Sequence, residues 1–351
     1  MLKLQHTSKL LIFSTALMTA LVGCSNESSD KTSGDAEPSD SQTTDTEEPI
    51  VVEHAFGETV LDEKPERVTT IQWGNQDVAL ALGVVPVGFS AANFGVQDDS
   101  GLLPWTAEKL EELGASDPNV FQDTDGLDFE AIADSNPDVI LAAYSGITQE
   151  DYDLLNEIAP VVAYPETPWT TSWRDHITLS AAGMGMEAEG EQLIEDTENL
   201  IDEKVAEYPE IEGKKVAWVN FSATDMSSLH LYTPVDTRVA FLTEEIGFEY
   251  PEPILDMIED DKAYSLNLSA ENADVLDEAD IIIGYGDENL LEALQADSRL
   301  GQISAIENGA VAFIDGSDVL GAAGTPNPLS ISYTIDEYLE LIGDALSNVE
   351  E

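Results

Sequence analysis

The chain has 351 residues, 42% of them hydrophobic, enough for about two domains with buried cores at roughly 150 residues each. Its charge is one-sided: 71 Asp and Glu stand against 13 Lys and Arg, for a formal net charge of −58. The acids are spread along the chain rather than gathered in a tail, so phosphate is repelled and nucleic acid is a poor partner. Such self-repulsion strains a compact state and suits a solvated surface in a saline medium, where screening is short-ranged.

Residues 1–23 have the form of a secretory signal peptide. Lys3 and Lys9 precede an apolar stretch over residues 10–22, interrupted by Ser14, Thr15 and Thr19 and shorter than the roughly 20 apolar residues a bilayer span needs. It ends in Leu21-Val22-Gly23-Cys24, which resembles a bacterial lipobox. Cys24 is the only cysteine, which rules out an intrachain disulfide, and its expected role is lipidation at the mature N-terminus. A diacyl anchor would hold the protein on the outer face of a membrane, whereas a single acyl chain binds only marginally. Residues 24–49, rich in Ser, Thr, Asp and Glu, read as a disordered acidic tether.

The folded body begins at Ile50. A strand or hairpin is expected over residues 51–60, a short strand over 67–72, a helix over 77–82 and a strand over 85–88. A helix over 129–135 leads through Pro137 into the apolar run 139–143, and Leu154, Leu155 and Ile158 form a helix face before a strand at 161–163. Short apolar strands alternating with helices argue for βα units around a parallel sheet. Residues 187–208 contain no Pro, and Leu193, Ile194, Leu200, Ile201, Val205 and Tyr208 recur there at helical spacing before Pro209 ends the run. A helix of about 20 residues spans about 30 Å. Its place near mid-chain predicts a bridge between two α/β lobes, residues 50–186 and 209–351, with a ligand cleft between them.

Strands at 216–220, 281–284 and 311–314, a helix over 238–246 and a closing amphipathic helix over 331–346 complete the pattern. The halves echo each other. Pro137-Asp138-Val139-Ile140-Leu141 has a counterpart in Ala279-Asp280-Ile281-Ile282-Ile283, each preceded by a short acidic helix.

Several segments resemble, in order, the periplasmic binding proteins for ferric siderophores and vitamin B12. They are His54-Ala55-Phe56-Gly57-Glu58-Thr59-Val60 with Lys64-Pro65-Glu66-Arg67-Val68, then Ala79-Leu80-Ala81-Leu82-Gly83-Val84-Val85-Pro86-Val87-Gly88. Pro137–Leu141 with Ile158-Ala159-Pro160-Val161-Val162 follows, and Pro328-Leu329-Ser330-Ile331 with Asp336 closes the series. The resemblance covers about residues 50–347. It implies two α/β lobes on one rigid helix, a ligand cleft between them and small closure on binding. It implies a monomer that carries an iron(III)–siderophore, uses no cofactor, and docks on the permease of an ABC importer and its ATPase. Docking in the family uses one glutamate per lobe, and the matching positions are Glu130 and Glu271.

Bulky, partly flat siderophore complexes favour aromatic walls and Arg donors, whose fork reaches two oxygens. Trp73, Trp105 and Tyr144 in the first half, and Trp218, Phe221, Tyr232 and Tyr285 in the second, are the aromatic candidates. Arg238, after a strand and a loop, and Arg174 are the candidate donors. The folded body holds only ten basic residues, too few to gather around a trianionic tris-catecholate complex, so a neutral or cationic ferric hydroxamate is the expected ligand. Haem, through a Tyr or His230, and cobalamin stay open. A direct zinc or manganese site would need clustered His, whereas His54, His176 and His230 are far apart in sequence. A secreted enzyme is the other rival, but there is no Gly-x-Ser-x-Gly and no phosphate-binding Gly loop.

Overall fold

The computed structural model describes residues 49–349, apart from 97, 124, 125 and 317. The expected signal peptide, Cys24 and nearly all of the tether lie outside the described residues. An antiparallel hairpin of β1 (Ile50–His54) and β2 (Gly57–Leu61) opens the fold. Then come β3 (Val68–Thr70), α1 (Asn75–Ala81), β4 (Gly88–Ser90), α2 (Pro104–Glu112) and β5 (Val120–Phe121). They are followed by α3 (Phe129–Asp134), β6 (Val139–Ala142), α4 (Gln149–Asn156) and β7 (Val161–Ala163). The five strands from β3 to β7 make one parallel sheet in the order β5-β4-β3-β6-β7. Helices cover both faces, so β6 is buried at every position, which is why it reads as an unbroken apolar run.

Helix α5 (Trp173–Gly183) leads into α6 (Glu187–Val205), the expected bridge. Gly190 lets α6 approach α5 closely, since a Cβ there would press on the Ala181 methyl group. A 3-10 turn at Pro209–Ile211 follows.

The second lobe contains β8 (Val216–Asn220), β9 (Ser228–Tyr232), α7 (Thr237–Ala240), α8 (Glu252–Leu255), β10 (Ser265–Ser269) and β11 (Ile281–Tyr285). It ends with α9 (Glu288–Ala296), α10 (Ser304–Asn308), β12 (Val311–Ile314), α11 (Val319–Ala323) and α12 (Pro328–Leu346). Its sheet runs β10-β9-β8-β11-β12, parallel through β8, β11 and β12 but antiparallel at β9 and β10. The helix expected over 238–246 is α7 continued by a π-helical turn at Phe241–Ile246.

The sequence echo is a structural echo. The amide of Asp138 donates to Arg67 O (2.8 Å) and its carboxylate accepts from the Glu66 and Arg67 amides, while Asp280 makes the same exchange with Lys215. Each aspartate thus pins the start of the central strand pair in its own lobe.

The lobes share a core. One buried cluster joins Val78, Trp173 and Ile177 of the first lobe to Ile201 of α6 and to Trp218, Ile283 and Ile335 of the second. Opening the lobes would return that apolar surface to water at about 25 cal/mol per Å², so the joint is stiff.

Candidate functional site: an interlobe cleft

A cavity of about 350 Å³ lies between the lobes. In the first lobe every wall residue follows the carboxyl end of a parallel strand. Gln72 and Trp73 come after β3, Ala91 and Asn93 after β4, Asp123 after β5, Tyr144 after β6 and Trp169 after β7. This is where open parallel sheets hold ligands. The second lobe closes the cavity with Tyr232 at the end of β9, Asp236 and Arg238 around the start of α7, and Tyr264 ahead of β10; Thr325 comes from the turn before α12.

The first-lobe wall is held from behind. Asn75 is fully buried; its Nδ2 donates to Ile71 O (2.7 Å) and Tyr144 O (2.9 Å), and its Oδ1 accepts from the Tyr144 amide. His176 Nε2 lies 2.9 Å from the same Oδ1. Burial pushes the His176 pKa down to about 3, so the ring is neutral and Nε2–H donates. Gln72 and Trp169 take left-handed backbone angles, φ 63° and 64°, although neither is glycine. Strain of this kind costs on the order of 1–3 kcal/mol and persists where surroundings over-determine it. The Trp169 amide donates to Ser145 O (3.2 Å), and its indole lies over Gly146, where a Cβ would collide with the ring.

Arg238 dominates the second-lobe wall. Its Nε and Nη2 donate to the two oxygens of Asp236 (2.8 and 2.9 Å), and its guanidinium lies 4.1 Å from the Tyr232 ring centroid. Burial works against the charge, but the Asp236 hydrogen bonds more than offset it, so the guanidinium stays firmly protonated. Tyr144 OH approaches Thr237 Oγ1 (3.4 Å) across the cleft, and burial pushes its pKa up to about 12, which keeps the phenol a neutral donor. On the opposite wall Asp123 Oδ2 accepts from Ser90 Oγ (2.5 Å), which in turn accepts from the Gln72 amide. Burial raises the Asp123 pKa, and the Ser90 bond opposes that shift. The result is a set of aromatic faces with one paired guanidinium and one further carboxylate.

Four of the residues expected at the site, Trp73, Tyr144, Tyr232 and Arg238, line this cavity. Five lie elsewhere. Trp105 is buried, with its indole N–H donating to Asp77 Oδ2 (2.8 Å). Trp218 is fully buried in the shared core. Phe221 packs edge-on to Phe313. Tyr285 sits edge-on to Phe94 and Trp218, with its hydroxyl on Gly321 O (3.3 Å). Arg174 is consumed by Glu198 and Glu245. Trp169, Tyr264 and Asp123 line the cavity as well, outside the residues expected there. Trp169 follows a strand just as Tyr144 does, so the rule that selected Tyr144 selects it too; nothing local marks Tyr264 or Asp123 in so acidic a chain.

Glu130 and Glu271 are exposed, in the first turns of α3 and of the 3-10 helix Ala270–Glu278, one on each lobe. Among the described residues no three His, Cys, Asp or Glu side chains converge to hold a metal ion, and no helix is long and apolar enough to cross a membrane.

Comparison with known proteins places this architecture. The solved structure of PiaA from Streptococcus pneumoniae TIGR4 in complex with ferrichrome has a TM-score of 0.82 and 53% sequence identity, covering 86% of this chain and 100% of that one. SirA of Staphylococcus aureus complexed with staphyloferrin B shares the fold, with a TM-score of 0.64 and 24% identity, covering 83% of this chain and 98% of that one. The Fe(3+)-citrate-binding protein YfmC of Bacillus subtilis (strain 168) is 24% identical over 312 residues, 87% of this chain and 89% of that protein. The family described as periplasmic binding protein matches residues 68–317, from β3 to the loop after β12, and the chain belongs to that family.

Proposed function

We propose that the protein is an extracytoplasmic solute-binding protein that captures an iron(III)–siderophore of the hydroxamate type and delivers it to an ABC importer. One observation carries the choice of cargo: Arg238, the cavity's only cation among the described residues, is already neutralised by Asp236. A trianionic catecholate complex or an anionic ferric citrate would enter without a compensating charge. A neutral trihydroxamate needs none; it needs aromatic contact and donors aimed at its iron-bound oxygens. Trp73, Tyr144 and Tyr232 supply the contact, and the outer edge of Arg238 supplies donors. The ferrichrome complex of PiaA supports the same ligand class.

Exposed Glu130 and Glu271, one per lobe, suit pairing with arginines of a permease, since carboxylate–guanidinium bonds are directional and bidentate. Lipidation at Cys24 would keep the protein near that permease. The stiff joint favours a cleft that closes little.

Trp73 and Trp169 in the wall make binding visible as tryptophan quenching. The mature domain is titrated with ferrichrome, ferrioxamine B, a ferric catecholate, ferric citrate, haem and cobalamin. Saturable quenching at submicromolar hydroxamate, with weaker binding of the anionic complexes, is expected. Tight binding of the catecholate or citrate complex would overturn the charge argument, and binding of haem or cobalamin alone would overturn the cargo.

A further inference from the structure

The cavity's charges do not balance. Arg238 and Asp236 cancel through two hydrogen bonds on the second-lobe wall. Asp123 faces the same space from the first lobe. Its carboxylate is built in rather than adventitious. The parallel pairing of β4 with β5 sets Ser90 beside Phe121, which brings the Ser90 hydroxyl to Asp123 at 2.5 Å. The Gln72 amide fixes that hydroxyl from behind at 2.8 Å, and Gln72 holds a left-handed backbone at φ 63°. A chain of backbone amide, hydroxyl and carboxylate therefore orients an acceptor on the cavity wall. The cavity's tyrosines add no positive charge, and their ring faces, with those of Trp73 and Trp169, favour a cation near them.

We propose that Asp123 is a specificity-determining residue whose carboxylate receives a pendant ammonium on a trihydroxamate iron complex. This rests on the hydroxamate reading above and deepens it: the ligand class is a cationic complex, with iron-bound oxygens toward Arg238 and its amine toward Asp123. Placing the positive end by Asp123 and the oxygens by Arg238 also fixes the orientation of the ligand in the cleft.

The test compares ferrioxamine B, which carries a free primary ammonium, with its N-acetyl derivative, which is neutral and differs only there. Both are titrated at pH 7.5 and low salt against the wild type, Asp123→Asn and Glu288→Gln, the last removing an exposed acid at the start of α9. The wild type should bind ferrioxamine B about tenfold tighter than the acetylated form, the order of one close charge pair in a partly desolvated site. Asp123→Asn should bind the two equally, having lost the roughly tenfold preference. Glu288→Gln should keep the full preference.

Equal binding of the two by the wild type overturns the proposal, as does a preference that survives in Asp123→Asn. A preference reduced as much by Glu288→Gln assigns it to the overall field of the protein and likewise overturns it. Loss of ferrichrome binding in Asp123→Asn would make the residue a wall support and not a selector. Failure of the wild type to bind either ferrioxamine form or ferrichrome overturns the hydroxamate reading beneath it, which keeps the two failures distinct.

Discussion

Asn327 and Asp77 are 250 positions apart in sequence, yet Asn327 Nδ2 donates to Asp77 Oδ2 at 2.9 Å. Asn327 is also the N-cap of α12, with Oδ1 accepting from the Leu329 and Ser330 amides. Asp77 takes three further donors, Trp105 Nε1 (2.8 Å), Thr106 Oγ1 (2.7 Å) and Gln76 Nε2 (3.3 Å). This fully buried carboxylate therefore ties α1, α2 and the start of α12 together, adding a second join to that made by α6. Asp77→Ala should strand four buried donors and cost about 3 kcal/mol or more. Asn327→Ala removes the cap and one donor and should cost about 2 kcal/mol. Urea midpoints measured with an unchanged m-value give both numbers.

Burial pushes the Asp77 pKa up to about 6, the four donors notwithstanding. The folded state then holds this proton more tightly than the unfolded chain does. Its contribution to stability is fully present below pH of about 4 and is lost as pH rises through about 6. Asp77→Asn lacks the titration, so the stability advantage of wild type over this variant should grow by about 2 kcal/mol from pH 7 to pH 4. Urea unfolding of both proteins at matched pH isolates it from the other carboxylates. A gap that is constant or shrinks on acidification would contradict the assignment.

How much was legible follows from what is local. The strands 139–142 and 281–285 are buried on both faces and wear it as apolar runs. The antiparallel strands β9 and β10 alternate Ser, His and Asn with Leu and carry no such run. The strand expected at 85–88 falls at Gly88–Ser90, because Val85 is exposed and Gly88 is needed where the Phe121 ring lies against the backbone. At the site, the internal echo puts Tyr144 and Tyr285 in equivalent places, and each amide donates to an asparagine side chain, that of buried Asn75 or of half-buried Asn220. Their side chains then diverge, since Tyr285 has Gly321 and Phe94 to pack against. Trp105 and Arg174 lie away from the cavity for one reason that no local pattern reveals: their partners, Asp77 and Glu245, are 28 and 71 positions away.

Arg174 has a structural task of its own. From α5 it binds Glu198 of the bridging helix (2.7 Å) and Glu245 of the π-helical turn, which is only 8% exposed and also accepts from Trp173 Nε1 (3.2 Å). One guanidinium thus joins both lobes and the helix between them. A double-mutant cycle of Arg174→Ala and Glu245→Ala should give a coupling of about 1–2 kcal/mol, reduced by salt because the arginine is partly exposed. A coupling near zero would mean that the Arg174–Glu245 pair does not help to set the joint.

Gly146 tests the cavity wall without touching its charges. A Cβ there would overlap the indole of Trp169, so the ring or the Gly146 backbone must shift. Gly146→Ala should therefore cost about 1–3 kcal/mol of stability. It should also weaken ligand binding about tenfold, by displacing one aromatic wall. Quenching titrations and thermal melts on the same samples separate the two effects, and unchanged affinity would remove Trp169 from the binding surface.

The two exposed glutamates separate capture from delivery. Neither Glu130 nor Glu271 lines the cavity, so Glu130→Ala and Glu271→Ala should leave the affinity for the ferric siderophore within about twofold of wild type, a difference under 0.5 kcal/mol. If they pair with permease arginines, each loss removes a charge-assisted contact of about 1.5–3 kcal/mol, and the double variant should lose nearly all transport. Radioactive iron uptake by cells carrying each variant at equal surface abundance reads delivery, while fluorescence titration of the purified domain reads capture. In a surface this acidic most carboxylates are spectators, so Glu108→Ala, on the exposed side of α2, serves as the control and should transport normally. Uptake lost equally in that control would assign the effect to overall charge, and uptake retained in the double variant would show that docking uses other residues.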